Sequence, residues 1–206
     1  MAHNHDHNHH NEIAHDDPGL LRRISGISGL NFIIGAVEIA AGLATNSATI
    51  TMAGTHDEAD GGLYAVKRLA AGEKDPQRKL RLRRWGAGLL MTASVLFGGY
   101  EITSNLTEDD HRPDPAAAWV GVLAASANVA ATAVLHSKKD HDDARDSWRH
   151  VVEVDLPGSL ITMVVTPLSV KYPGLDTVGA VLHTGLAVRV GKQTLSETNG
   201  NEGITH

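Results

Sequence analysis

One long stretch with a single charge most constrains the fold. Residues Ile24 to Leu43 read ISGISGLNFIIGAVEIAAGL, and Glu38 is the only charged side chain among them. At about 1.5 Å per residue, a helix of this length matches the ~30 Å hydrocarbon core of a bilayer. The stretch therefore predicts a membrane-spanning helix. A charge at that depth is expensive, so we expect Glu38 to face the protein interior.

Five further stretches of helical length follow, and Gly, Ala and Ser recur in all of them. Their predicted bounds are Thr49–Ala71, Trp85–Leu106, Ala116–His136, Ser147–Val170 and Gly174–Gly191. Small residues are typical of membrane helices that pack closely, whereas in a soluble helix each Gly costs about 1 kcal/mol relative to Ala. We therefore predict an all-α fold, a six-transmembrane-helix bundle of a polytopic membrane protein.

The two ends of the chain differ from this middle region in composition. Residues 1–17 are a low-complexity tract of His, Asn and Asp with almost nothing to bury, so residues 1–19 are predicted to be a disordered cytoplasmic tail. Residues 20–192 form the predicted transmembrane domain, and residues 193–206 a short cytoplasmic tail. Tracts like the first bind zinc loosely, here through His3, His5, His7, His9 and His10.

The Lys and Arg residues are sorted between the two ends of the predicted helices. If both termini are cytoplasmic, 16 of the 18 Lys and Arg residues fall on the cytoplasmic side, and only Arg112 and Lys171 fall outside it. Cytoplasmic loops of membrane proteins carry such an excess, whereas a soluble protein has no reason for it. The sequence therefore predicts a multi-pass protein of the cytoplasmic membrane with both termini inside.

Overall composition argues against several classes of function. The net charge of -6 is wrong for a nucleic-acid partner, and the absence of cysteine excludes disulfides and thiolate ligands. We find no nucleophile–base constellation and no phosphate-binding loop, so we expect neither an enzyme nor a bound cofactor. The mean hydropathy of -0.15 is typical of soluble proteins, but the polar ends lower this average.

The second predicted helix carries ionisable residues at membrane depth. His56 and Asp60 are four residues apart and share one face of a helix, with Asp57 about a third of a turn aside. Imidazole nitrogen and carboxylate oxygen are both zinc ligands. The spacing alone leaves two interpretations open, a metal site and a helix end with solvated acids.

Several other residues match one family in their order along the chain. The matching residues are Asn31, Glu38, Gly42, Ser47, His56, Asp60, Asn128, Asp155, Ser159 and Asp176. With them, the sequence resembles the cation diffusion facilitator family of metal-cation/proton antiporters over nearly the whole predicted membrane region. The resemblance implies six membrane helices and one four-ligand metal site formed by helices 2 and 5.

Carried over to this chain, the resemblance implies His56, Asp60 and Asp155 as metal ligands. The fourth position of the family's pattern is occupied here by Val151, and the nearest histidine, His150, comes one residue early. The alternatives are a site completed by His150 and a site with three protein ligands.

Helix geometry decides whether His150 can take part. On a regular helix His150 and Asp155 point about 140° apart. Pro157 cannot donate a hydrogen bond to the carbonyl of Glu153, and it crowds that carbonyl. A kink or a one-residue π-bulge between residues 150 and 157 is therefore our hypothesis, because it would turn His150 back toward Asp155.

The resemblance implies efflux of a divalent cation by proton antiport. Zinc suits the nitrogen and oxygen ligands best, with Mn²⁺, Fe²⁺, Cd²⁺ and Co²⁺ as alternatives. The expected partners are the metal ion, protons, the lipid bilayer and a second copy of the chain. Many relatives continue into a cytoplasmic ferredoxin-like domain, for which the last 15 residues leave no room, so we expect a homodimer through the membrane helices.

Two other functions remain open at this stage. One is a relative that has lost a ligand and acts as a membrane metal-binding or partner-binding protein without transport. The other is a soluble helical bundle that buffers metal through its histidine tail. His183, alone in the sixth segment, is expected to be a packed or interfacial residue, and His136 and His141 to lie in a solvated charged loop.

Overall fold

The computed structural model describes residues 18–107, 112–136 and 151–200, and within these ranges the chain is helical and has no strand. The helices are α1 (Pro18–Ala44), α2 (Ala48–Ala71), α3 (Pro76–Thr107), α4 (Ala116–His136), α5 (Leu156–Lys171) and α6 (Gly174–Gly200). A π-helical turn over Val151–Asp155 leads into α5. The predicted all-α class is confirmed.

Two helices extend beyond their predicted bounds. Helix α3 begins at Pro76, nine residues before Trp85, because Asp75 caps it through a 2.9 Å hydrogen bond from the Gln77 N–H and proline suits the first helical turn. The added turns consist of Gln, Lys, Arg and Leu, which are good helix formers. Helix α6 continues past Gly191 to Gly200, and α1 already begins at Pro18, which we had assigned to the tail.

The α1–α2, α3–α4 and α5–α6 connections lie together at one end of the bundle. The Asp114 N–H, just before α4, donates a 2.8 Å hydrogen bond to the Thr45 carbonyl between α1 and α2. The Asp176 carboxylate, in the first turn of α6, accepts a 2.9 Å hydrogen bond from the Ser47 hydroxyl. We call this the Asp176 end. Arg112 and Lys171, the two basic residues that the charge pattern set apart, lie beside these same connections.

Helices α1 and α2 cross at glycines. A Cβ on Gly35 would lie 2.7 Å from the Gly54 carbonyl oxygen, and one on Gly54 would lie 2.5 Å from the Gly35 oxygen. Real Cβ atoms essentially never approach backbone atoms so closely. The backbones can therefore touch only where both residues lack a side chain, as in close-packed membrane helices.

Polarity in the bundle is reversed relative to a soluble protein. Large apolar side chains lie on the surface, including Ile33, Val37, Trp85, Leu96, Trp119 and Leu123. Buried positions are rich in hydroxyl side chains, including Ser47, Thr49, Thr51, Thr162, Thr166 and Ser169. Soluble proteins bury large apolar residues preferentially and keep most Ser and Thr exposed.

Hydropathy alone identifies one helix in the described part of the chain that is long and apolar enough to cross a membrane, over Ser25–Ala44. A shorter apolar helix covers Ala116–Ala130. The six-span arrangement therefore stays a prediction.

Candidate metal centre

Three side chains with metal-ligating atoms converge between α2 and the π-helical turn. His56 and Asp60 lie one turn apart on α2, with Nε2 of His56 3.4 Å from Oδ2 of Asp60. Asp155, the last residue of the π-helical turn, comes from the opposite side. One ligand atom from each of the three lies within 4.8 Å of the other two. His56 and Asp60 are 3% and 1% exposed, so the cluster is inside the protein.

The π-helical turn lies where the sequence predicted an irregularity. It occupies Val151–Asp155 and passes into α-helix directly before Pro157, whose ring crowds the carbonyl four residues earlier. Of the two predicted distortions, a kink or a π-bulge, the structure has a π-helical turn. His150 lies outside the described residues, so its approach to Asp155 remains a prediction.

The His56 ring is buried without satisfying its polar atoms. Neither of its ring nitrogens makes a hydrogen bond with another described residue, and the Asp60 carboxylate lies 3.4 Å from Nε2. Most buried polar side-chain atoms have a hydrogen-bond partner, and each exception calls for an explanation. A cation held between His56 and the two carboxylates would supply the missing interaction.

Asp57 is directed away from this cluster. Its Oδ2 accepts a 2.9 Å hydrogen bond from Nδ2 of Asn128 on α4, and its carboxyl group also shares a hydrogen bond with Glu38 on α1. Two carboxyl groups can share such a bond only with a proton between them. Glu38 is 2% exposed, as expected from its position in the sequence. The sequence singled out Glu38 and Asn128 but gave no sign that Asp57 joins them.

A small cavity of about 10 Å³ adjoins the cluster. Its polar lining includes His56, Asp57, Asp155, Ser159 and His183. A space of this size accommodates about one water molecule and excludes any larger solute. The cavity therefore suits a single ion or water and argues against an organic substrate at this place.

His183 reaches the same cavity from α6. Its Nε2 lies 3.0 Å from the Thr162 hydroxyl, and its ring centroid lies 6.4 Å from that of His56. Nδ1 of His183 has no hydrogen-bond partner among the described residues. Sequence reasoning expected a packed residue here, and burial agrees. The orientation toward the cavity had no signal in the sequence, because no other ligand-type residue accompanies His183 at helical spacing.

Asp176 also matches the family pattern, but it lies outside the candidate metal centre. Its carboxylate accepts hydrogen bonds from the Ser47 hydroxyl at 2.9 Å and from the N–H groups of Ala48 and Thr49 at 2.6 and 3.2 Å. These N–H groups belong to the first turn of α2, where a negative charge is stabilised by the helix dipole. Asp176 therefore links the start of α6 to the start of α2, and both of its carboxylate oxygens accept hydrogen bonds there.

Some predicted metal-binding residues cannot be placed. His3, His5, His7, His9, His10 and His141 lie outside the described residues, and the side chain of His136 is not described either.

The sequence matches no family model, and no curated protein matches it significantly.

Proposed function

We propose that this protein is a divalent cation transporter of the cytoplasmic membrane that exports zinc in exchange for protons. The observation that carries the proposal is the convergence of buried His56 and Asp60 with half-buried Asp155, one ligand atom of each within 4.8 Å of the others. The ordered matches to the cation diffusion facilitator pattern favour the same function. We propose membership of that family on those residues alone.

The donor set favours zinc. One imidazole and two carboxylates supply nitrogen and oxygen at a site that needs only small movements to reach Zn–ligand distances of about 2.0–2.2 Å. Three protein ligands leave a fourth position for His150, a water molecule or another group, as in zinc sites that exchange ligands. The share of oxygen makes Mn²⁺ and Fe²⁺ the nearest competitors, with Cd²⁺ and Co²⁺ as further substrates.

Proton exchange follows from ligand chemistry. Imidazole must be neutral and carboxylate ionised to bind a metal, so metal binding displaces protons and proton binding displaces the metal. A site that opens alternately to the two sides of a membrane then couples the two fluxes. The proton gradient across the cytoplasmic membrane would drive the metal outward.

The surface supports a lipid environment. Every helix exposes at least one large apolar side chain, while hydroxyl and ionisable side chains are buried inside the bundle. The low hydropathy of α2 comes from the ionisable residues in its middle, and that of α6 from its polar C-terminal end, residues 191–200. Only Arg112 and Lys171 lie beside the connections at the Asp176 end, which makes that end the outer one by the positive-inside rule.

Zinc uptake into proteoliposomes that are acid inside tests the proposal. Protons leaving the vesicles should drive zinc in, and Asp60→Ala should abolish the uptake because it removes one of three ligands. Asp75→Ala, an exposed acid that caps α3, should transport like the wild-type protein. Absence of uptake for every divalent ion offered, with the protein inserted, would favour the non-transporting membrane relative.

His150→Ala distinguishes the two forms of the site. If it abolishes uptake as Asp60→Ala does, His150 is the fourth ligand and the π-helical turn serves to align it. If uptake persists, three protein ligands suffice. Recovery of the wild-type protein in the soluble fraction without detergent would contradict the membrane proposal and favour a soluble metal buffer.

A further inference from the structure

The cavity beside the cluster contains more unsatisfied ligand-type atoms than one three-residue site uses. Nδ1 of His183, both ring nitrogens of His56 and the Ser159 hydroxyl are buried and make no hydrogen bond with a described residue. All three residues line the same cavity of about 10 Å³. Three unsatisfied polar residues around a space for one small particle are the arrangement expected of an ion or water site.

The hydrogen bond of His183 uses Nε2 and leaves Nδ1 available as a ligand. The Thr162 hydroxyl has one proton, which it donates to the Gly158 carbonyl at 3.2 Å. With its proton on that carbonyl, the hydroxyl accepts at 3.0 Å from Nε2 of His183, which is the tautomer with the imidazole proton on Nε2. Nδ1 then has a free lone pair. Metal-ligating histidines are characteristically held in this way, by a hydrogen bond from the nitrogen that does not bind the metal.

His183 stands apart from the three-residue cluster along the bundle axis. Its ring lies beside Gly158, where a Cβ would be 3.8 Å from Nδ1, and Gly158 is three residues beyond Asp155, or about 4.5 Å toward the Asp176 end. His56 precedes Asp60 by one turn and is the member of the cluster nearest to that end. The centroids of the His56 and His183 rings are 6.4 Å apart, about 1 Å more than tetrahedral Zn–N distances of about 2.0–2.1 Å give, so a small shift of either ring brings both within reach of one ion.

We propose that His56 and His183 form a second divalent-cation station, which receives the ion from the site of His56, Asp60 and Asp155. His56 belongs to both stations and passes the ion from one to the other. Nδ1 of His183 and the Ser159 hydroxyl supply the new ligands. The inference rests on the proposed transport function for its direction, toward the Asp176 end, but the binding itself can be measured without transport.

A thiol placed at residue 183 gives a direct readout. The chain has no cysteine, so His183→Cys would introduce the only thiol. Cd²⁺ added to this variant in detergent should produce a cadmium–thiolate charge-transfer band in the near ultraviolet, because thiolates bind soft cations strongly. The band should be lost in the double variant His183→Cys/His56→Ala. The matched control is Ser94→Cys, a buried hydroxyl-to-thiol change on α3 outside the cavity lining, which should give no band.

The outcomes separate this inference from the proposed function. A His56-dependent band supports the second station even if no zinc is transported. A folded His183→Cys protein without the band, or with a band that persists without His56, overturns it. If Asp60→Ala abolishes zinc binding while the band is absent, the first site stands and only the second station is wrong.

Thr162→Val tests the same station without altering a ligand. It removes the hydrogen bond that orients His183 and keeps the shape of the side chain. Zinc uptake should fall about tenfold, the effect typical of losing an outer partner of a metal ligand, while equilibrium zinc affinity at the Asp60-dependent site stays within about twofold. Thr103→Val, an exposed threonine with the same type of backbone hydrogen bond, is the control. Unchanged uptake in Thr162→Val would overturn the second station.

Discussion

Two buried polar clusters in this bundle differ in whether their polar side chains have hydrogen-bond partners. At the Asp176 end, the carboxylate of Asp176 is surrounded by donors, namely a serine hydroxyl and two N–H groups of the first turn of α2. At the candidate metal centre, the His56 ring nitrogens have no hydrogen-bond donor or acceptor among the described residues, and Nδ1 of His183 has none either. At the Asp176 end, a hydrogen-bonded carboxylate links two helices. At the candidate metal centre, buried imidazole nitrogens without hydrogen bonds are suited to binding a cation.

The largest expected effect is on metal affinity at the candidate metal centre. Asp60→Ala should lower zinc affinity at least about a thousandfold, or about 4 kcal/mol, because a charged ligand disappears from a buried site. The free energy of unfolding without metal should stay the same or rise, since one source of charge repulsion is removed. Isothermal titration calorimetry and detergent-based unfolding measure the two quantities. The predicted zinc binding by the histidine tail is common to both proteins, so the measured quantity is the difference in affinity between them.

The second effect is the reverse, on stability at the satisfied cluster. Asp176→Ala should lower the free energy of unfolding by about 3 kcal/mol, because it leaves buried donors at the start of α2 without their acceptor. Zinc affinity of the folded fraction should not change. Asp114→Ala removes an exposed carboxylate that accepts one N–H at 2.7 Å, and its cost should be about 1 kcal/mol or less. Equal losses in the two variants would show that the donors around Asp176 add nothing.

The sequence predicted more of the metal centre than of the cluster at Asp176, because the partners of Asp176 are far from it along the chain. His56 and Asp60 were found because helical spacing puts them on one face, and the π-helical turn was anticipated from Pro157. The partner of Asp176 is 129 residues away at Ser47, and the partner of Asp57 is 71 residues away at Asn128. No periodicity encodes such pairs. The orientation of His183 depends likewise on how α5 and α6 pack, which no local pattern reveals.

The third effect is a pH dependence confined to the metal centre. As the pH falls, protons compete for imidazole and carboxylate ligands, so zinc affinity should fall by about tenfold per pH unit for each proton that binding displaces. Calorimetry in buffers of different ionisation enthalpy counts those protons. The proton release that belongs to the metal centre should be lost in Asp60→Ala. The pH range from 7.5 to about 6 brackets the ordinary pKa of histidine, about 6.5. A zinc affinity that stays constant over this range would contradict both the ligand set and proton exchange.

The smallest effect concerns the hydroxyl that links the satisfied cluster to α2. Ser47 donates to Asp176 at 2.9 Å and caps α2, so Ser47→Ala should cost about 1 kcal/mol of stability. In an Asp176→Ala background the same change should cost less, because the two side chains share one hydrogen bond. Ser47 lies nine residues, or about 13 Å, from His56 along α2. If Ser47→Ala also weakened zinc binding more than about threefold, the two clusters would be coupled through the rigid helix, and Asp176 would be a part of the transport machinery as well as a tie between helices.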